Sequence, residues 1–304
     1  MRWVTYSTGS DSDQRVGVLQ DGQVHGRRGS ASLAQLVAGG HEELAAIGRA
    51  VLRDPVEVVD VADVTLAAPI PVPPSIRDFM AFESHAVTAV EAVGQKLSPV
   101  WYEIPAFYFS NPAAVHSASA EVSIPPMTKA FDYELEVGVV IGRPGGDIPV
   151  AHAASHIAGF VLLCDWSARD VQGHELAVGL GPAKGKDSAT TFGPWLATPD
   201  ELDPYRVGKG FDRAMTASVN GVRYSTGNLA DLFWSFEEMI SYASRGTRLV
   251  RGDVLGSGTV GTGCILELSR VHGLDQYPYL VSGDRVHLTV EGLGSIDVSV
   301  AGGA

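Results

Sequence analysis

The sequence predicts a β-rich α+β fold: a small N-terminal α+β domain over residues 1–70, followed by a larger β-rich body over 71–304. Three observations point there. Glycine makes up 35 of the 304 residues, well above the average of about 7%, as a fold with many tight turns requires. Apolar residues recur either in strict alternation or in short dense runs, the two patterns of half-buried and fully buried strands. An apolar share of 45% against a charged share of 19% supplies a sizeable core.

Taken in order, residues 3–7 read as a strand and lead through a polar Gly/Ser/Asp stretch to a second strand at 15–19. Asp21-Gly22 then forms a two-residue hairpin turn before Val24. Helical patterns follow at 32–37 and 42–52, the latter with Leu44, Ile47, Val51 and Leu52 on one face. Four prolines crowd residues 67–74, which favours an extended linker and places a boundary near residue 70. Beyond it, 133–141 and 156–164 are dense apolar runs, and Asn220-Gly221 marks a type I′ hairpin. Ser235 and Glu238 stand at capping-box spacing ahead of a helix. Residues 249–259 and 285–298 return to strands.

A net charge of −13 argues against nucleic acid or an anionic membrane as partner, since both demand clustered Lys and Arg. No window approaches the ~20 apolar residues of a spanning helix, and the N-terminus enters a strand-like run without a signal core. Only Cys164 and Cys264 are present, both in apolar surroundings, so free buried thiols are expected rather than a disulfide framework. These features predict a soluble cytoplasmic protein.

Several segments carry chemistry. Glu134 and Glu136 lie two apart, on one face of a strand that runs on into Val-Gly-Val-Val-Ile. A solvated outer face would accommodate them, but a strand this apolar is usually covered on both sides. Two buried carboxylates then need a cation, and a hard divalent metal bound through oxygen supplies one. Asp165 ends a second apolar run, where it either caps a turn or lies at a catalytic rim, with Arg169 and Gln172 one turn apart beyond it. Asp78 and His85 follow the proline-rich linker; the first offers another oxygen ligand, the second a proton-transfer group at neutral pH. The segment with Lys184 and Lys186 lacks the spacing of a phosphate loop. Glu267 is a single carboxylate among apolar neighbours.

Order and spacing together make the chain resemble the fumarylacetoacetate hydrolase family over most of residues 70–300. The matching strings are R-D-F at 77–79 with His85 seven residues after the Asp, E-L-E-V-G at 134–138, D-W-S-A-R-D-V-Q at 165–172, G-K-D at 185–187 followed by G-P-W, and G-S-G-T at 256–259. The third string is highly specific; E-L-E alone is not. The resemblance implies a rolled mixed β-body, usually paired into homodimers. It places Asp78, Glu134, Glu136 and Asp165 on a Mg²⁺, Mn²⁺ or Ca²⁺ ion, His85 on the catalytic base and Glu267 on the carboxylate that orients it. Arg169, Gln172 and Lys186 fall on oxyanion and substrate-contact positions, Tyr108 and Thr259 on substrate contacts. Met80 stands where the hydrolase has a substrate-binding Tyr, and Thr88 where one branch has the Glu of a His-x-x-Glu pair.

The implied activity is metal-dependent hydrolysis of a carbon–carbon bond in a small-molecule 1,3-diketo acid of the fumarylacetoacetate or acylpyruvate type, with His85 activating water. The alternative on the same scaffold is a decarboxylase, hydratase or isomerase of a 2-oxo acid, within the aromatic catabolism where the family works. A binding protein without catalysis would need no base.

Overall fold

The computed structural model describes residues 1–9, 13–91, 94 and 96–302. A 13-stranded mixed sheet forms its spine. At the centre, strands Leu135–Ile141 and Ile157–Asp165 pair antiparallel, and every residue of both is buried. Near-continuous apolar runs of this kind suit strands covered on both faces. On one flank, Leu196–Ala197 joins Ile157–Asp165 to the N-terminal strand Arg2–Thr8, and Arg15–Gln20, Gln23–Gly26 and Val58–Asp60 follow outward. On the other flank, Val254–Gly256 pairs with Leu135–Ile141 and, in parallel, with Ile76–Phe79, whose other neighbour is Phe107–Ser110.

A five-stranded sheet, ordered Val222–Asn228, Ala214–Val219, Arg285–Val290, Gly294–Ala301, Val122–Ser123, packs on this spine. Its inward side chains, among them Met215, Leu288, Ile296 and Val298, share one cluster with Val137, Val139, Phe160 and Leu162. The result is the expected β-rich α+β body rolled around a core. Both predicted hairpins form, with positive φ at Asp21, Gly22, Asn220 and Gly221, the conformation a type I′ turn demands. The capping box of Ser235 and Glu238 opens helix Phe236–Ala243. The N-terminal helical patterns become Leu33–Leu36 and Gly40–Arg53. The proline-rich stretch 68–75 carries no helix or strand.

The structure corrects the reading in three places and adds the element that carries Glu267, for which none was expected. Of 249–259 only Val254–Gly256 is a strand, because Gly252 and Gly258 turn the chain with φ of 83° and 76°. Strand Leu135–Ile141 starts after Glu134, which instead makes an isolated bridge to Cys264. Asp165 ends its strand and caps nothing: helix Arg169–Ala177 has Ala168 at its N-cap. Glu267 lies on helix Ile265–His272, which buries Ile265, Glu267, Leu268 and Ser269 on one face. Both cysteines are free and buried. Among the described residues no helix is long and apolar enough to cross a membrane.

Candidate active site

Three strands of the central sheet deliver the carboxylates, with Val254–Gly256 lying between the strand of Glu136 and that of Asp78. Asp78 sits on Ile76–Phe79, directly across from Gly256 on one side and Tyr108 on the other. Glu136 projects from Leu135–Ile141, with Glu134 just before it, and Asp165 terminates Ile157–Asp165. All four are buried, and one oxygen from each lies within 4.8 Å of the others. A Cβ at position 256 would stand 2.6 Å from Asp78 Oδ1 and 3.0 Å from Glu136 Oε2, so only glycine leaves the carboxylates room to converge.

Electrostatics separate Glu134 from the other three. Burial alone would raise Glu134, but Arg169, Lys186 and His85 override it and hold its carboxyl well below the usual range. Its Oε1 lies 2.7 Å from Arg169 Nη2, and Oε2 accepts from Lys186 Nζ. Burial instead dominates elsewhere: it raises Asp78 despite Lys186, drives Glu136 far up with help from Asp78, and pushes Asp165 up to about 7. Asp78 Oδ1, Glu136 Oε1 and Asp165 Oδ1 are buried without a hydrogen-bond partner. Three orphaned oxygens on converging carboxylates, with too little positive charge beside them, match what a divalent cation would fill. An all-oxygen donor set suits Mg²⁺, Mn²⁺ or Ca²⁺ rather than a thiophilic ion.

Lys186, 3% exposed, also donates to Asp165 Oδ2 at 2.6 Å. Its short 3₁₀ turn, Lys184–Lys186, is held by Glu175, whose carboxylate accepts backbone N–H bonds from Ala183, Lys184 and Gly185. Gly185 lies so close to Gln172 that a Cβ would stand 2.8 Å from its backbone nitrogen. Tyr108 places its hydroxyl between Asp78 Oδ2, at 2.8 Å, and Asp165 Oδ2. Burial and the Asp165 charge push that phenol well up, so it stays a neutral donor among the carboxylates.

The second half of the site is an imidazole and its partner. His85, on helix Glu83–Glu91, directs Nδ1 at Glu267 Oε1, a contact between buried residues 182 apart in sequence. Glu267 Oε2 accepts from Thr262 N at 2.9 Å, and Cys264 Sγ lies 3.7 Å from Oε1. With Nδ1 committed, Nε2 is left to exchange a proton. Arg169 Nη1 donates to Gln172 Oε1 at 3.1 Å, which leaves the Gln172 amide NH₂ as a free donor. Thr259 is buried next to Gly258, whose N–H binds Glu136 Oε2 at 3.1 Å.

The structure thus gathers the expected residues into two adjoining clusters. It also adds two. Glu175 is one. The other is Asp132, fully buried, which accepts from Arg169 Nε at 2.8 Å and from Ile265 N at 2.7 Å. Its signal stood in the sequence: Asp132, Glu134 and Glu136 form a period-two series of carboxylates, of which only two were read.

Residues 75–301 match the family model described as fumarylacetoacetate (FAA) hydrolase C-terminal. The fumarylacetoacetase of Bos taurus is 29% identical over an alignment that covers 82% of this chain and 74% of that protein. Two solved structures share the fold over the full length of both chains. Maleylpyruvate hydrolase from Sphingobium sp. SYK-6, in complex with manganese(II) ion and pyruvate, superposes with a TM-score of 0.73 at 20% identity. 5-Carboxymethyl-2-hydroxymuconate delta-isomerase from Mycobacterium smegmatis gives 0.72 at 23%.

Proposed function

This chain belongs to the fumarylacetoacetate hydrolase family, and on that premise we propose that it hydrolyses a carbon–carbon bond in a 1,3-diketo acid of the fumarylacetoacetate or acylpyruvate type. The observation that carries this reading is the His85–Glu267 pair beside the carboxylate cluster: a protein that only bound metal would need no oriented base.

Asp78, Glu134, Glu136 and Asp165 would hold the ion. A divalent cation there supplies Lewis acidity, drawing electron density from the substrate's oxygens. Everything else falls to side chains. Glu267 fixes His85 so that Nε2 takes a proton from water as the oxygen attacks the distal carbonyl carbon. The Gln172 NH₂ is the donor free to meet the oxyanion. Lys186, with two protons committed to Glu134 and Asp165, has a third to offer. Removing one such donor typically costs about 10²–10³ in rate. As the tetrahedral centre collapses, the carbon–carbon electron pair passes to the leaving enolate, and His85 returns its proton to that carbon. A carboxylic acid and a shorter oxo acid result (a 2-oxo acid from an acylpyruvate, a 3-oxo acid from fumarylacetoacetate), and atoms and charges balance with water alone.

An isomerase or decarboxylase would use the same charges on an enolate, and the fold is shared with an isomerase. Thr88 spends its hydroxyl on Ser84 O at 2.9 Å and offers His85 no carboxylate, so Glu267 alone orients the base, the arrangement that the resemblance ties to the hydrolase. The proposal extends to a cytoplasmic homodimer acting in aromatic catabolism. The test is incubation of acylpyruvates and fumarylacetoacetate with Mg²⁺ or Mn²⁺. Release of two fragments and a proton is the expected result; a product of unchanged carbon count, or one lacking CO₂, would show the alternative chemistry.

A further inference from the structure

We propose that Asp132 is the positioning residue that locks the base-carrying half of the site onto the carboxylate half. The proposal rests on the hydrolase reading for its kinetic arm only. Asp132 has no exposed surface, and its two oxygens serve two different elements. Oδ1 accepts from Ile265 N at 2.7 Å and Oδ2 from Leu266 N at 3.0 Å, the first two residues of helix Ile265–His272. Oδ2 also accepts from Arg169 Nε at 2.8 Å, with Nη2 at 2.8 Å.

Each arm leads to a reacting group. Glu267 lies two residues beyond Ile265, on the helix whose first turn Asp132 holds, and Glu267 in turn aims His85. Arg169 reaches Glu134 at 2.7 Å and Gln172 at 3.1 Å. Asp132 is therefore a junction through which the base, the oxyanion donor and one metal-cluster carboxylate share a single reference point. A helix N-terminus and a guanidinium both call for an anion, and a buried carboxylate satisfies both at once. Reacting groups misplaced by about 1 Å can cost 10²-fold, so a junction of this kind controls rate without touching substrate.

Asp132→Asn keeps the size and one acceptor oxygen but turns an NH₂ towards either the guanidinium or the helix N–H groups. Asp132→Ser keeps a helix-capping acceptor and drops the Arg169 arm. Either variant suffices if it folds, judged by cooperative thermal unfolding. The first readout needs no substrate. The proton held between His85 and Glu267 should give a far-downfield NMR resonance, assigned by its loss in His85→Ala, and it should shift or exchange away in Asp132→Asn. In the second, kcat on an acylpyruvate with Mn²⁺ should fall about 10–100-fold, the usual cost of losing a supporting partner, with KM little changed. In a Glu267→Gln background the same substitution should cost little more, because the two act in series. Folded variants with an unchanged resonance and unchanged kcat would overturn the proposal. If the wild-type protein cleaves none of the diketo acids, the hydrolase reading fails, while the resonance still decides the role of Asp132.

Discussion

Whether water is activated here turns on one imidazole nitrogen. Glu267 is needed by His85 to fix its orientation, and His85 is needed by Glu267, which sits buried against Cys264 and would otherwise be a costly charge. His85→Ala should abolish hydrolysis while leaving Mn²⁺ affinity nearly intact in calorimetry, and Glu267→Gln should slow it roughly 10²–10⁴-fold. The double variant should be little worse than His85→Ala; fully additive losses would make Glu267 merely structural. A second prediction concerns the metal cluster. Gly256→Ala inserts a Cβ 2.6 Å from Asp78 Oδ1, a contact that something must move to relieve. Mn²⁺ affinity should drop about 10–100-fold, whereas unchanged affinity would show that Asp78 is not a ligand. Glu134→Gln should lose metal and activity together, since it also strips a partner from Arg169 and Lys186. At this scale the sequence was informative because carboxylates in apolar runs are conspicuous. Asp132 escaped notice because its partners, a helix N-terminus and an arginine 37 residues away, come together only through folding.

Among the elements, the segment 82–105 has the makings of a lid over the base it carries. Positions 92, 93 and 95 fall outside the described residues, but its two ends are tied to each other. Tyr102 donates to Glu83 Oε1 at 2.6 Å, Trp101 Nε1 to Met80 O at 3.0 Å, and Trp234 Nε1 to Trp101 O at 3.2 Å. Closure would exclude all water but the attacking molecule. Mn²⁺ plus pyruvate should therefore slow proteolytic cleavage within 82–105, and Trp101→Ala should speed cleavage with or without them. Equal cleavage rates in all four conditions would argue for a fixed segment. Elements with local signals were legible: the hairpins at Asp21-Gly22 and Asn220-Gly221, and the capped helix after Ser235. Helix Ile265–His272 was not, because a glycine-rich approach resembles a strand turn and its buried face includes Glu267 and Ser269 in place of an unbroken apolar stripe.

Across the whole molecule, the parallel pairing of Ile76–Phe79 with Val254–Gly256 joins segments some 180 residues apart, and no spacing rule announces such a partnership. Nor does composition reveal how residues 1–70 meet the rest. Trp3, Val16, Val18, Leu33 and Leu44 share one cluster with Val140, Ala158, Val161, Leu163 and Leu196, while Arg2 and Trp3 lie across from Ala197 and Leu196 in the sheet. Val161 and Leu163 belong to the strand that ends in Asp165, so the N-terminal segment covers the back of the site's own scaffold. Each large apolar side chain left exposed costs about 1.5–3 kcal/mol, against a total stability of about 5–15 kcal/mol. Exposing four such side chains, Val140, Val161, Leu163 and Leu196, costs about 6–12 kcal/mol, comparable to the whole stability of a domain, and a strand partner is lost as well. Residues 71–304 expressed alone should therefore be insoluble, or bind a hydrophobic dye without a cooperative melt, and co-expression of 1–70 should restore both solubility and Mn²⁺ binding. If 71–304 instead unfolds cooperatively at the full-length temperature and binds Mn²⁺ unaided, the N-terminal segment is an appendage and the shared cluster contributes nothing to the site.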